Sequence, residues 1–208
     1  MRPSLKVTLA TAAALHLLTA CSTVPPAGHA TSPAPSREVV PGERLGPITA
    51  TTTIEDLTAE FGNWGAVEID YPIGEGETVQ ATRVDPGGPR MAVIIWKPGV
   101  FPKRIDRVIP EGPGWQVPSG LRRGDSLALT EQCNGSPFLV YGFEWDYGGV
   151  AYFKGGQLNN RAQVWFEPTT GSPAERQRVS GDQLFSSTDH ALQAVQPRVA
   201  KAAIVFPR

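Results

Sequence analysis

From Leu45 onward the apolar and polar positions change rhythm several times, and the changes divide the chain into short elements. Gly46-Pro47-Ile48 leads through a threonine cluster to Ile54, Leu57 and Phe61 before Gly62. Gly120 to Gly124 leads through Asp125 to Leu127, Thr130 and Cys133 before Asn134-Gly135. Apolar groups spaced for one helical face behind a capping side chain, with glycine after the last, predict two short helices capped by Thr53 and Asp125. Strand-like runs follow each: 66–71, 78–84 and 91–97 after the first, 138–143, 150–154 and 162–166 after the second. Turn formers separate them, among them Gly74-Glu75-Gly76, Asp85-Pro86-Gly87-Gly88 and Tyr147-Gly148-Gly149. Ser187-Thr188-Asp189 then caps a helix through His190, Leu192 and Val195, and 199–206 alternates as a closing strand. The pattern predicts a single α+β domain over 44–208, mainly antiparallel sheet with short helices packed on one side. Two helix-plus-meander repeats, 44–110 and 111–208, would share a core that one could not build alone.

The first forty residues follow another logic. Arg2 and Lys6 precede an apolar stretch from Val7 to Ala20, too short for a membrane span and typical of a secretory signal, so residues 1–20 are expected to be a signal peptide. Its end, Leu18-Thr19-Ala20-Cys21, resembles the lipobox of bacterial lipoproteins. That resemblance implies a diacylglyceryl thioether on Cys21, cleavage before it and acylation of the new amino terminus. Such an anchor is firm, because each buried methylene contributes about 0.8 kcal/mol and two or more chains hold where one binds reversibly. By resemblance to the sorting of Gram-negative lipoproteins, Ser22 directs the protein to the outer membrane, facing the periplasm. Residues 21–43 then form a lipidated cysteine and a tether: five prolines lie among Ser, Thr, Ala and Gly with no apolar period. About twenty residues in polyproline conformation reach up to about 60 Å.

Composition narrows the partners. The 208 residues carry 19 basic and 20 acidic side chains. Without residues 1–20, which hold Arg2 and Lys6 and no acid, the balance is −3. A nucleic-acid binder is not expected, since such proteins show a basic face. The membrane, through the N-terminal lipid, and an envelope protein are the expected partners. Cys21 and Cys133 are the only cysteines, so a lipidated Cys21 leaves Cys133 without an intrachain partner, at an apolar helix position that suits a small buried side chain.

Two further resemblances bear on identity. The helix-plus-sheet layout resembles the tandem architecture of β-lactamase inhibitory protein and, in single copy, the small lipoprotein of the outer-membrane β-barrel assembly machine. The segments Leu45-Gly-Pro-Ile-Thr49, Asn134-Gly-Ser-Pro-Phe138 and Tyr141-Gly-Phe-Glu-Trp-Asp-Tyr-Gly-Gly149 look like those of a family of uncharacterised bacterial lipoproteins, over roughly residues 45–160. That resemblance implies a lipoprotein and brings no activity.

Candidate chemistry is sparse. His190 is the one histidine beyond the tether, and there is no G-x-S-x-G, phosphate loop or dinucleotide turn, so no cofactor or metal is expected. Glu144 and Asp146 alternate on an expected strand and would point to one side, about 6 to 7 Å apart. That suits a glycosidase-like pair acting on envelope glycans, and equally two solvated acids at a hairpin end. Tyr141, Phe143, Trp145 and Tyr147 would share the other face as an aromatic row, either core or contact surface. The leading expectation is a non-catalytic recognition or scaffold module with a face at Tyr141, Phe143, Trp145, Asp146 and Tyr147. The alternatives are the glycan-acting enzyme and, by architectural analogy, an inhibitor of a secreted enzyme.

Overall fold

The computed structural model describes residues 36–74 and 76–207; the expected signal peptide, Cys21 and most of the tether lie outside the described residues. Three two-residue strands, β1 (Val39–Val40), β2 (Arg44–Leu45) and β3 (Ile48–Thr49), pair in a small antiparallel sheet. Helix α1 (Ile54–Phe61) leads into β4 (Ala66–Gly74), β5 (Glu77–Val84), β6 (Ala92–Trp96) and β7 (Ile105–Pro110). Helix α2 (Leu127–Asn134) precedes β8 (Leu139–Tyr141), β9 (Ala151–Tyr152) and β10 (Ala162–Glu167). Then come α3 (Pro173–Arg178), β11 (Leu184–Ser186), α4 (His190–Ala194) and β12 (Arg198–Val205). The fold is α+β, mainly antiparallel sheet with four short helices.

Local chemistry explains the helix ends. Thr53 Oγ1 accepts from the Asp56 amide at 3.1 Å and the Asp56 carboxylate accepts from the Thr53 amide at 2.9 Å, a reciprocal capping box that starts α1. In α2 the cap is Ser126, which accepts from the Leu129 amide, and not Asp125 as the spacing predicts. The Asp125 carboxylate is occupied one step earlier, accepting from the amides of Gly120 (2.6 Å) and Arg122 (3.0 Å) and so fixing the loop that delivers the helix. Gly135, at φ +76°, ends α2 in the left-handed conformation glycine favours. Asp189 caps α4 through the amides of Ala191 and Leu192.

The main sheet has six antiparallel strands in the order β10-β12-β7-β6-β5-β4. The expected closing strand is therefore interior: Val164 faces Ala202 on one side of β12, and Val108 faces Ile204 on the other. The first half of the chain makes the expected meander, with β7 as a fourth strand. The second half does not repeat it. Strands β8 and β9 join β11 in a separate three-stranded sheet, order β11-β8-β9, while β10 pairs with β12. Gly142 explains the break, because its amide turns to the Gln183 carbonyl, drawing the run after Tyr141 toward the segment behind α3.

One hydrophobic cluster gathers side chains from nearly every element. It holds Leu57, Leu127 and Leu192 of the helices, Val140 and Ala151 of the smaller sheet, and Ile94, Val108 and Ile204 of the large one. Val39, only 2% exposed, belongs to it, so residues 39–43, which the proline spacing reads as the end of the tether, are part of the folded body. The helices thus lie on one side of the large sheet, as its pattern predicts. The other side carries a second, smaller cluster of Ala81, Val93, Ile95, Ile109 and Ala203, drawn from the large sheet alone.

Ile94, fully buried in the main cluster, and Ile73, exposed near the β4–β5 turn, make a controlled pair. Ile94→Ala is expected to lower the unfolding free energy by about 2 to 5 kcal/mol, and Ile73→Ala to change it by less than about 0.5 kcal/mol. Urea denaturation of both variants checks this.

Candidate functional site

Among the described residues, the side of the large sheet away from the helices forms a groove of about 600 Å³. Val79, Ile95 and Ile109 make its apolar floor, and longer amphipathic side chains stand around them: Tyr71 of β4, Arg107 of β7, Lys201 of β12 and Trp165 of β10. The stems and rings of these residues keep Val93 and Ala203 out of water while their polar ends remain at the surface.

Two β-bulges aim the cations. Register shifts between Ile95 and Trp96, which face Arg107 and Ile105 respectively, so Asp106 is an extra residue on β7. The same occurs between Trp165 and Phe166, facing Lys201 and Val199, with Ala200 as the extra residue. Ile105 and Val199 therefore point into the main core while Arg107 and Lys201, two positions later, point into the groove. In a regular strand, residues two apart share a face. The bulge is what separates each pair, a device found where a side chain must be re-aimed.

The polar groups are closely disposed. Lys201 Nζ lies 4.2 Å from the Trp165 ring centroid and 5.7 Å from that of Tyr71. Arg107 donates from Nε to Asp106 at 2.8 Å and also donates to the Gln163 side-chain carbonyl. Burial lowers the Lys201 pKa, and the positive charge of Arg107 lowers it further, while Glu111 acts the other way. The Tyr71 hydroxyl is pushed up, first by burial and then by Glu111, against the influence of Arg83 and Arg107. On the same side of the sheet Arg83 Nε is buried without a hydrogen-bond partner, 3.9 Å from the Glu111 carboxylate.

The sequence-predicted aromatic segment meets this groove at its mouth. It is not a strand beyond Tyr141: residues 142–149 form a loop, Glu144 sits at φ +64°, and Gly149 at φ +75° closes the loop against β10. A Cβ on Gly149 would come within 2.0 Å of the Phe166 carbonyl oxygen, and the Phe166 amide donates to the Gly149 carbonyl. A bridge between Val150 and Trp165 holds the loop's base beside the groove. Tyr141, Trp145 and Tyr147 do cluster, with centroids 5.3 to 6.5 Å apart, and Trp145 Nε1 donates to the Gly142 carbonyl. Phe143 leaves the row: it is 5% exposed and belongs to the core. Asp146 and Tyr147, the latter 59% exposed, line the groove. Glu144 is exposed and is not part of the lining, so the expected carboxylate pair on one strand face is replaced by one acid at the mouth and one outside it.

Cys133 is partly buried against the main core, and burial followed by the nearby Asp125 charge raises its thiol pKa, which suits a packing role. Tyr71, Arg107 and Lys201 escape the sequence reading, and Trp165 gives it nothing decisive. The available signal is charge inside two otherwise apolar runs, two residues in Ile105-Asp-Arg-Val-Ile109 and one in Val199-Ala-Lys-Ala-Ala-Ile204. No family model matches the chain, nor does any curated protein or solved structure.

Because the Lys201 pKa is lower in the folded state, the unfolded chain binds more protons between the folded and the ordinary lysine values, and stability contributed here rises with pH in that window. Lys201→Met should therefore be more stable than the parent at neutral pH, with the difference shrinking toward about pH 10. Tyr71 acts oppositely above its own ordinary value, so the comparison ends there. Urea titrations of both proteins across this range check it; a difference that stays constant would contradict it.

Proposed function

We propose that this protein is a lipoprotein of the bacterial cell envelope, anchored through Cys21 to the outer membrane and facing the periplasm, whose folded body is a non-catalytic recognition module for an envelope component. The supporting sequence features are the basic, apolar and small-residue order of residues 1–20 and the Leu18-Thr19-Ala20-Cys21 tetrad. The observation that carries the recognition reading is the groove. Two bulged strands turn cations away from the core, and one of them, Lys201, is held beside Trp165 and Tyr71 on the side of the sheet away from the helices. A clustering of rings and charges around a concave floor is what a binding site needs.

Within the sequence-derived candidates, the contact role narrows to Asp146 and Tyr147, which line the groove, with Tyr141 and Trp145 as the packing that supports Tyr147. Phe143 acts as a core anchor for the loop: its amide donates to the Val179 carbonyl and its carbonyl accepts from Gly181. Glu144 and Asp146 do not serve as a glycan-cleaving pair in this groove, because Asp146 is in its lining and Glu144 is not.

Two experiments test this reading. Metabolic labelling with an alkynyl fatty acid is expected to mark the parent protein and leave Cys21→Ser unlabelled and released from the outer-membrane fraction; labelling of Cys21→Ser would sink the anchor. A photo-reactive residue at position 147, in intact envelopes, is expected to give a discrete adduct that the same probe at position 29 does not. A folded, membrane-bound probe protein with no specific adduct at 147 would sink the recognition reading.

A further inference from the structure

We propose that the groove takes an acidic saccharide, with a sugar face against Tyr147 and its carboxylate on Lys201. This rests on the recognition reading above and specifies its ligand.

Charge accounting singles out one cation. Arg107 is paired with Asp106 and also donates to Gln163, and Arg83 faces Glu111. Lys201 has no carboxylate within 4.0 Å among the described residues; its Nζ is held instead over two aromatic rings. An ammonium group that has already lost part of its hydration and has no partner favours one anionic group strongly, since little further desolvation is required and the resulting hydrogen bond is charge-assisted.

The rest of the lining selects the body of the ligand. The floor belongs to inner strands whose amides and carbonyls are engaged in the sheet ladder, so an extended peptide would find few free backbone partners there. Recognition must come from side chains. Tyr147, 59% exposed at the mouth, offers an apolar ring face suited to the C–H face of a pyranose, while Lys201 stands over the rings of Trp165 and Tyr71, and Asp106, Asp146 and Gln163 offer oxygens able to accept from hydroxyl groups. Those two carboxylates also disfavour a polyphosphate, which would bring several negative charges to a groove with one uncommitted cation. The volume, about 600 Å³, lies within the usual range of about 300 to 1,000 Å³ for small-ligand clefts.

The test uses the detergent-solubilised full chain and two matched pairs of probes: glucuronic acid with glucose, and N-acetylmuramic acid with N-acetylglucosamine. Tryptophan fluorescence and calorimetry should show each acid binding about tenfold or more tightly than its neutral partner. Lys201→Met should abolish that preference, Lys201→Arg should keep it, and Tyr147→Ala should weaken all binding about tenfold. Near-UV circular dichroism establishes that the variants are folded. Equal affinity within both pairs, a preference surviving in Lys201→Met, tighter binding of ATP than of either acid, or no saturable binding would each overturn the proposal. If sugars fail but the probe at position 147 still yields a specific protein adduct, recognition stands and the saccharide is wrong; if both fail, both fall.

Discussion

Hydrogen bonding of β12 to β10 on one side and to β7 on the other holds the two halves of this chain in one sheet. Without that strand the meander β4 to β7 would end in an open edge at β7, and β10 would have no partner in the large sheet. Its side chains serve both faces. Val199, Ala202 and Ile204 enter the main core, Ala203 belongs to the second cluster, and Lys201 lines the groove. The helices and the smaller sheet can share one core only because β12 makes a continuous surface beneath them.

The same continuity creates the opposite face. Among the described residues, the side of the sheet away from the helices must also be shielded from water, and here that is done with the second apolar cluster below and long amphipathic side chains above. Bulges in neighbouring strands β7 and β12 are the local means. Each inserts one residue, so that a large core residue and a cation two positions apart face opposite ways. The result is a pair of cations close enough for Arg107 to depress the pKa of Lys201, which is unfavourable for folding alone and useful for holding an anion.

What the sequence made legible follows from how local each signal is. The α1 and α4 caps, the strands over 66–71, 78–84 and 91–97, and the side on which the helices pack all rest on contacts within a few residues or on simple alternation. Asp125 looks like the α2 cap because its side chain is a good acceptor; its neighbour Ser126 takes that role while Asp125 binds the preceding loop. The aromatic row from Tyr141 to Tyr147 keeps period two in sequence, but Gly142, the positive φ of Glu144 and the Gly148-Gly149 pair turn the backbone out of strand geometry. The groove was least legible. Tyr71 and Lys201 lie on strands far apart in sequence, and bulges, which alternation cannot register, decide where Arg107 and Lys201 point.

The interior place of β12 also sets an order in time. Strand β7 ends at Pro110 and the strand that must cover its edge begins at Arg198, so the sheet closes through contacts of long sequence separation that form late and slowly. A chain emerging from its N-terminal end can form the β4 to β7 meander early, yet neither the shared core nor the groove exists until β12 has emerged and docked. Throughout that interval β7 remains an unpaired apolar edge. Closure of the sheet, completion of the core and formation of the groove are therefore a single event, timed by the arrival of the last strand.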